Sequence, residues 1–158
     1  MTRITEGHLV RHYQGVKGGR DAALLDIAQD HVLHLLHEAG LFDRGLVFKG
    51  GTALRKFRAG NAGRFSTDLD FAAPSEELAL SALQALDGVE VDGFAFGVRN
   101  LGDDGRRGDL TISTPFGTPR LGAKVAVLDL NLENAQRVAA DIGGVAVQGN
   151  VSDRESMQ

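Results

Sequence analysis

The sequence of 158 residues contains no cysteine, which excludes disulfide frameworks, thiol catalysis, iron–sulfur clusters and Cys-based zinc sites and suits a reducing compartment. Proline is scarce as well, three against 21 glycines, so turns and close backbone approaches are expected to matter more than rigid linkers. Long apolar runs are missing: Leu46-Val47-Phe48 and Val125-Ala126-Val127-Leu128 fall far short of the roughly 20 residues that cross a bilayer. The first thirty residues carry Arg3, Glu6, Arg11, Lys17, Arg20 and Asp21 without an apolar centre, so no signal peptide is expected. What remains, 42% hydrophobic and 24% charged residues, is the balance of one soluble domain with a modest core, expected in the cytoplasm.

Net charge is −4, which argues against a general polyanion binder. The distribution is uneven. Arg44, Lys49, Arg55, Lys56, Arg58 and Arg64 fall between Arg44 and Thr67 with no acid among them, a local positive patch in an acidic chain. A solvated helix face is the simplest reading of such a run until its neighbours are considered.

Leu25, Ala28, Val32, Leu35, Leu36 and Ala39 recur at helical spacing and predict an amphipathic helix over about 21–39, stopped by Gly40. Its His31, His34 and His37 rotate steadily around such a helix, and no acid completes a metal site with them. A short strand is expected at 45–48, a turn at Lys49-Gly50-Gly51, and a helix over 52–57 with Thr52 as N-cap. A loop at 60–63, a strand at 66–72, a helix at 75–86 and strands at 89–98 and 110–113 follow, the last two split by the turn 102–105 that Arg106 and Arg107 close. A strand at 124–128, a helix at 133–142 and a strand at 145–148 end the chain. The fold class is therefore α/β (α+β), a mixed sheet flanked by helices.

Two segments carry chemistry. In the first, Gly50-Gly51 lets a ligand approach the backbone, the helix start offers free N–H groups to a phosphate, Thr52 adds a hydroxyl and Lys56 a point charge one turn on. In the second, about 17 residues later, strand periodicity puts Asp68 and Asp70 on one face and turns Leu69 and Phe71 to the core. Paired carboxylates repel unless they meet water or share a cation, so Mg²⁺ is the expected partner. A two-carboxylate platform beside a triphosphate seat is what metal-assisted nucleotidyl transfer requires, and Arg55, Arg58 and Arg64 would then attract a triphosphate or an RNA end. Asp109 and Asp129 are candidates for a third carboxylate and Lys124 for a further contact.

The stretch Leu46–Phe71, through Gly50-Gly51-Thr52, Leu54, Lys56, Arg64, Ser66, Asp68, Leu69, Asp70 and Phe71, resembles the nucleotidyltransferase toxins of the AbiEii/AbiGii type, a branch of the polymerase-β-like superfamily. The resemblance implies that Gly50, Gly51, Thr52, Lys56 and Ser66 bind a nucleoside triphosphate and that Asp68 and Asp70 bind Mg²⁺ and act in catalysis. It implies transfer of a nucleotide, in some members to the tRNA 3′ end, in a bacterial toxin–antitoxin system with a cognate antitoxin and no membrane partner. The later Glu-Lys-Leu-like and Arg-Asp-x-x-Asp-like motifs of the family are missing from this chain.

Residues 122–158 are similar instead to the second strand, helix and third strand of a short-chain dehydrogenase, with Asp129 at the ribose-binding acid and Asn150, Val151 and Asp153 near the adenine. No Gly-rich pyrophosphate loop precedes them. The organisation expected is a nucleotidyltransferase-like core over 1–120 and a dehydrogenase-like βαβ tail over 121–158, not an independent domain, joined by fusion, frameshift or rearrangement at about 122–125. Two alternatives to the enzyme are a catalytically incomplete protein that binds a nucleotide or antitoxin, and a dinucleotide-binding fragment.

Overall fold

The computed structural model describes residues 4–13, 19–60, 65–103, 105–120 and 122–129. Helix α1 (Glu6–Tyr13) packs on the long helix α2 (Gly19–Glu38), and strand β1 (Val47–Lys49) runs into helix α3 (Gly50–Leu54), which continues as a π-helical turn over Arg55–Ala59. Strand β2 (Leu69–Ala73), helix α4 (Glu76–Gln84) and strands β3 (Val89–Val91), β4 (Phe94–Arg99), β5 (Arg107–Ser113) and β6 (Ala123–Asp129) complete the described elements. The strands form one mixed sheet in the order β1-β2-β6-β5-β4-β3, in which only β2 and β6 run parallel.

Register sorts the side chains by face. Phe94, Phe96 and Val98 of β4, Leu110 and Ile112 of β5, Val125 and Val127 of β6, and Leu69 and Phe71 of β2 fall on one side and are buried. They form one core with Leu24, Leu25, Ala28, Val32 and Leu36 of α2 and Leu78 and Leu83 of α4. Phe71, Phe94 and Leu69 are fully buried, each such side chain contributing about 1.5–3 kcal/mol through removal from water. The opposite side of the sheet carries Asp68, Asp70, Lys124, Asp109, Thr111, Ser113 and Arg99.

The expected α2, α4, β1, β2 and β6 are present with shifted ends, and Ser75 caps α4 by accepting from the Leu78 amide at 3.2 Å. Four expectations change. Residues 89–98 form a hairpin instead of one strand, because Asp92 and Gly93 take positive φ angles and turn the chain inside an apolar run. Arg107 opens β5 instead of sitting in the turn. Helix α1 forms in a stretch for which no helix is expected. Thr52 is not an N-cap: the helix begins at Gly50, with Lys49 in the N-cap position, and Thr52 is fully buried. An organisation with a boundary at 120–121 places that boundary just ahead of β6, which pairs with β2 on one side and β5 on the other. The helix and strand expected beyond residue 129, and with them Asn150, Val151 and Asp153, lie outside the described residues, as does Arg64. Among the described residues no helix is long and apolar enough to cross a membrane.

Candidate active site

The site forms where β1 hands over to α3 beside the start of β2. Lys49 and Asp70 are opposite each other in the antiparallel β1–β2 pair, so the turn that follows Lys49 folds back over the β2 carboxylates. Gly50 holds a φ of +78°, and a Cβ at this position would collide with Asp70 Oδ2 and lie 3.1 Å from its Cγ. The residue is glycine for two reasons, its left-handed backbone and the carboxylate against it. A Cβ on Gly51 would lie 3.5 Å from Ser66 Oγ, so the Ser66 hydroxyl faces the second glycine.

Thr52 fixes this arrangement from below. Its hydroxyl donates to the backbone carbonyls of Asp68 and Ser66, at 2.5 and 3.4 Å, which joins the helix to the segment that carries the carboxylates. Asp68, exposed at the mouth of β2, accepts from the Lys124 backbone N–H at 3.2 Å and the Thr67 hydroxyl at 3.1 Å, both at Oδ1. Asp70 is half-buried one pleat further in. Leu69 and Phe71 between and beyond them are fully buried, as strand periodicity requires. Gly50, Gly51, Thr52, Ser66, Asp68 and Asp70 are thus brought together.

The donor set suits Mg²⁺, a hard cation that commonly takes one or two protein carboxylates and completes its shell with water and substrate phosphates. Asp68 and Asp70 are the two such groups on this face of β2. Among the described residues no cluster of three or more His, Cys, Asp or Glu is arranged to hold a metal.

A family model described as "Nucleotidyl transferase AbiEii toxin, Type IV TA system" matches residues 34–143, which contain the whole of this site. The chain belongs to the AbiEii nucleotidyltransferase toxin family. Among solved structures it is similar to MenT4, a nucleotidyltransferase toxin from Mycobacterium tuberculosis H37Rv, at 50% identity and a TM-score of 0.72 over 79% of this chain. The chain spans 44% of the length of MenT4. No curated protein sequence matches it.

Lys56 takes a different position from the other residues expected to bind the nucleotide. Its ammonium is turned toward α2, where it donates to Asp26 Oδ1 and Asp30 Oδ1, each at 2.6 Å, and to the Asp26 carbonyl at 3.2 Å. Arg55, buried beside it, donates to Asp26 Oδ1 and to Gln29 Oε1 and lies with its guanidinium 5.2 Å from the centre of the Phe65 ring. His12 of α1 pairs with the other Asp26 oxygen at 2.8 Å. Burial works to raise the Asp26 pKa, but hydrogen bonds from His12, Arg55 and Lys56 outweigh it and hold the carboxyl well below its ordinary range.

Gln29 completes this support. It is fully buried, and its amide nitrogen donates to the Ser66 and Thr67 carbonyls at 3.1 and 3.0 Å. One helix therefore grips both halves of the candidate site: Asp26 and Asp30 hold the cations after the Gly-Gly-Thr turn, and Gln29 holds the lead-in to Asp68. The sequence reading missed these residues. A signal existed, because Gln29 falls in the stripe Leu25, Gln29, Val32, Leu36, where an apolar residue is expected and a polar one needs a partner.

By backbone register, the candidates for a third carboxylate do not stand at positions next to the pair. Asp109 stands opposite Lys124 on β5, so β6 intervenes, and it accepts from Asn100 Nδ2 at 2.7 Å. Asp129 pairs with Ala73, at the other end of β2 from Asp68. The β6 position directly opposite Asp70 is Ala126, and Lys124, two residues earlier, is on the same face. His31, His34 and His37 are buried, half-buried and exposed respectively. The His31 ring packs against Phe94 with centroids 4.6 Å apart, and its Nε2 has no hydrogen-bond partner.

Proposed function

We propose that this chain is an Mg²⁺-dependent nucleotidyltransferase that moves a nucleotide from a nucleoside triphosphate to an acceptor hydroxyl. The family supports the reaction class, and the acceptor proposed is the 3′ end of tRNA, as the resemblance implies. The observation that carries the reading is the contact between Gly50 and Asp70, since it brings the Gly-Gly turn directly against one of the two β2 carboxylates. In this reading the acceptor oxygen forms a bond to the α-phosphorus, the bond from that phosphorus to the bridging oxygen breaks, pyrophosphate leaves and the hydroxyl proton is released. Mg²⁺, when bound, aligns the α-phosphate and offsets charge on the leaving pyrophosphate.

The chain's own groups divide the work. Backbone N–H groups of the Gly50-Gly51 turn receive the triphosphate, Ser66 adds a hydroxyl across from Gly51, and Thr52 keeps the turn against the Asp68 backbone. Asp68 and Asp70 hold the metal, and Lys56 supplies positive charge behind the turn while tied to α2. A cognate antitoxin is the proposed protein partner and the cytoplasm the proposed location.

Transfer of label from each α-labelled nucleoside triphosphate to total tRNA, with Mg²⁺, tests the reading. Label is expected with the intact chain and lost in Asp68→Ala and Asp70→Ala; no label with any nucleotide from a folded sample would sink it. One observation favours a second reading, a protein that binds the nucleotide or antitoxin without turnover: Ala126, not an acid, stands opposite Asp70. Mg²⁺-dependent nucleotide binding with no transfer would select it.

A further inference from the structure

The open face of the sheet continues past the carboxylates into a groove of about 490 Å³ over β4 and β5, edged by Thr118, Pro119, Arg120 and Gly122. Its floor is made of small side chains, Ala95, Gly97, Thr111 and Ser113, paired across the two strands as Ala95 with Ser113 and Gly97 with Thr111. Any side chain on Gly97 would close this floor, because a Cβ there would lie 2.8 Å from Thr111 Oγ1, which donates to the Gly97 carbonyl at 3.0 Å.

The charges that line the groove are basic. In a chain of net charge −4, the charged residues that line it are Arg99 and Arg120, both exposed, with Asp87 Oδ1 at its floor beside Gly97 and Asp109 across from Arg99. Among the described residues no carboxylate pairs with either arginine. Two guanidinium groups with no carboxylate partner among the described residues, over a hydroxyl-bearing floor, suit the phosphodiester backbone of a single strand, whose phosphates take bidentate contacts from arginine.

The groove also leads to the site. Arg99 is opposite Asp109, Asp109 is opposite Lys124, and the Lys124 amide bonds to Asp68. This row crosses β4, β5, β6 and β2, so Arg99 lies three strand spacings from Asp68, about 14 Å at roughly 4.8 Å per strand. A few nucleotides of single strand are long enough to cross that span.

We infer that this groove is the seat of the acceptor strand: a single-stranded nucleic acid end whose phosphates meet Arg99 and Arg120 while its terminal hydroxyl reaches Asp68 and Asp70. The inference rests on the proposed nucleotidyl transfer for its direction, and its test reads binding, not turnover. Anisotropy of a 5′-fluorescein single-stranded RNA oligonucleotide with a free 3′ hydroxyl would be titrated with the full chain between 50 and 200 mM salt. Two lost phosphate contacts flatten the log–log salt slope by about 1.4, so the wild-type affinity falls about sevenfold further over this range than that of the Arg99→Ala/Arg120→Ala double variant.

The Arg99→Lys/Arg120→Lys variant keeps both charges and is expected to keep the wild-type slope, which separates charge loss from misfolding. Asp68→Ala is expected to bind the RNA with the wild-type slope while losing transfer. Equal slopes for the wild type and the alanine double variant, or no RNA binding by the wild type, would overturn the assignment; equal slopes are also what an acidic protein partner in the groove would produce. Absence of label transfer with the predicted slopes intact would refute the reaction and leave the groove as a nucleic-acid seat.

Discussion

Replacing Asp26 with Ala removes the shared acceptor for three cationic or proton-donating side chains at once. Arg55 and Lys56 have side chains only 10% and 11% exposed, so they cannot recover full hydration when the carboxylate goes. Removal of one partner from a buried ion pair costs about 3–5 kcal/mol. Asp30 still serves Lys56 and Gln29 still serves Arg55, which sets the expected loss near the lower end, about 3 kcal/mol. For a chain of this length that lowers the melting midpoint by roughly 6–12 °C. Asp26→Asn, which retains an acceptor without the charge, is expected to fall between the two.

The pH dependence has a definite sign. The Asp26 pKa is depressed in the folded state, so its contribution is fully present above the ordinary carboxylate value and is lost progressively as pH falls below about 4, toward the group's own lower value. Thermal unfolding from pH 3 to 7 is therefore expected to show a steeper acid loss in the wild type than in Asp26→Asn. An Asp26→Ala protein within about 0.5 kcal/mol of the wild type at pH 7, the range of ordinary surface substitutions, would refute the account of the α2 clamp.

Gly50→Ala combines a left-handed backbone cost of about 1–2 kcal/mol with displacement of the Asp70 carboxylate, so Mg²⁺ titration is expected to show weakened binding in a protein that still melts cooperatively. His31 has its pKa lowered by burial, and nearby Asp92 and Asp30 only partly oppose this; the unfolded chain therefore takes up a proton first as pH falls below about 6.5. The wild type is expected to lose up to about 1.4 kcal/mol per pH unit there, and His31→Leu to flatten the profile in melting experiments between pH 5 and 8. Ala126→Asp places a third carboxylate opposite Asp70, and is expected to destabilise the chain without Mg²⁺, restore it on adding Mg²⁺ and tighten the Mg²⁺ titration. An unchanged Mg²⁺ affinity would show that β6 does not border the metal.

The parts of the site written in local spacing were legible in the sequence. Asp68 and Asp70 alternate with Leu69 and Phe71, and that alternation alone assigns faces. Gly50-Gly51 between an apolar strand and a helix marks a turn whatever surrounds it. The parts set by tertiary partners were not legible. Thr52 has the composition of an N-cap, but its hydroxyl is spent on carbonyls 14 and 16 residues away, which no local rule anticipates. Lys56 reads as a free charge on a helix and is instead held by two acids 26 and 30 residues earlier. The turn at Asp92-Gly93 was hidden because Val89, Val91, Phe94, Phe96 and Val98 keep an apolar pattern on both sides of it.

Strand β6 has a consequence for how the molecule comes into being. Strands β1 and β2 form one pair and β3, β4 and β5 one meander, and among the described residues no backbone ladder joins the two until β6 enters between them. Both halves leave the ribosome before the strand that unites them. During synthesis the sheet therefore exists as two fragments with open edges, and the parallel β2–β6 pairing, which spans more than fifty residues of chain, must form last and slowly. The Asp68 carboxylate waits on the same event, since its partner amide at Lys124 arrives with β6. A nascent chain that stalls short of β6 carries the Gly-Gly-Thr and Asp-x-Asp segments without the strand that sets them in place.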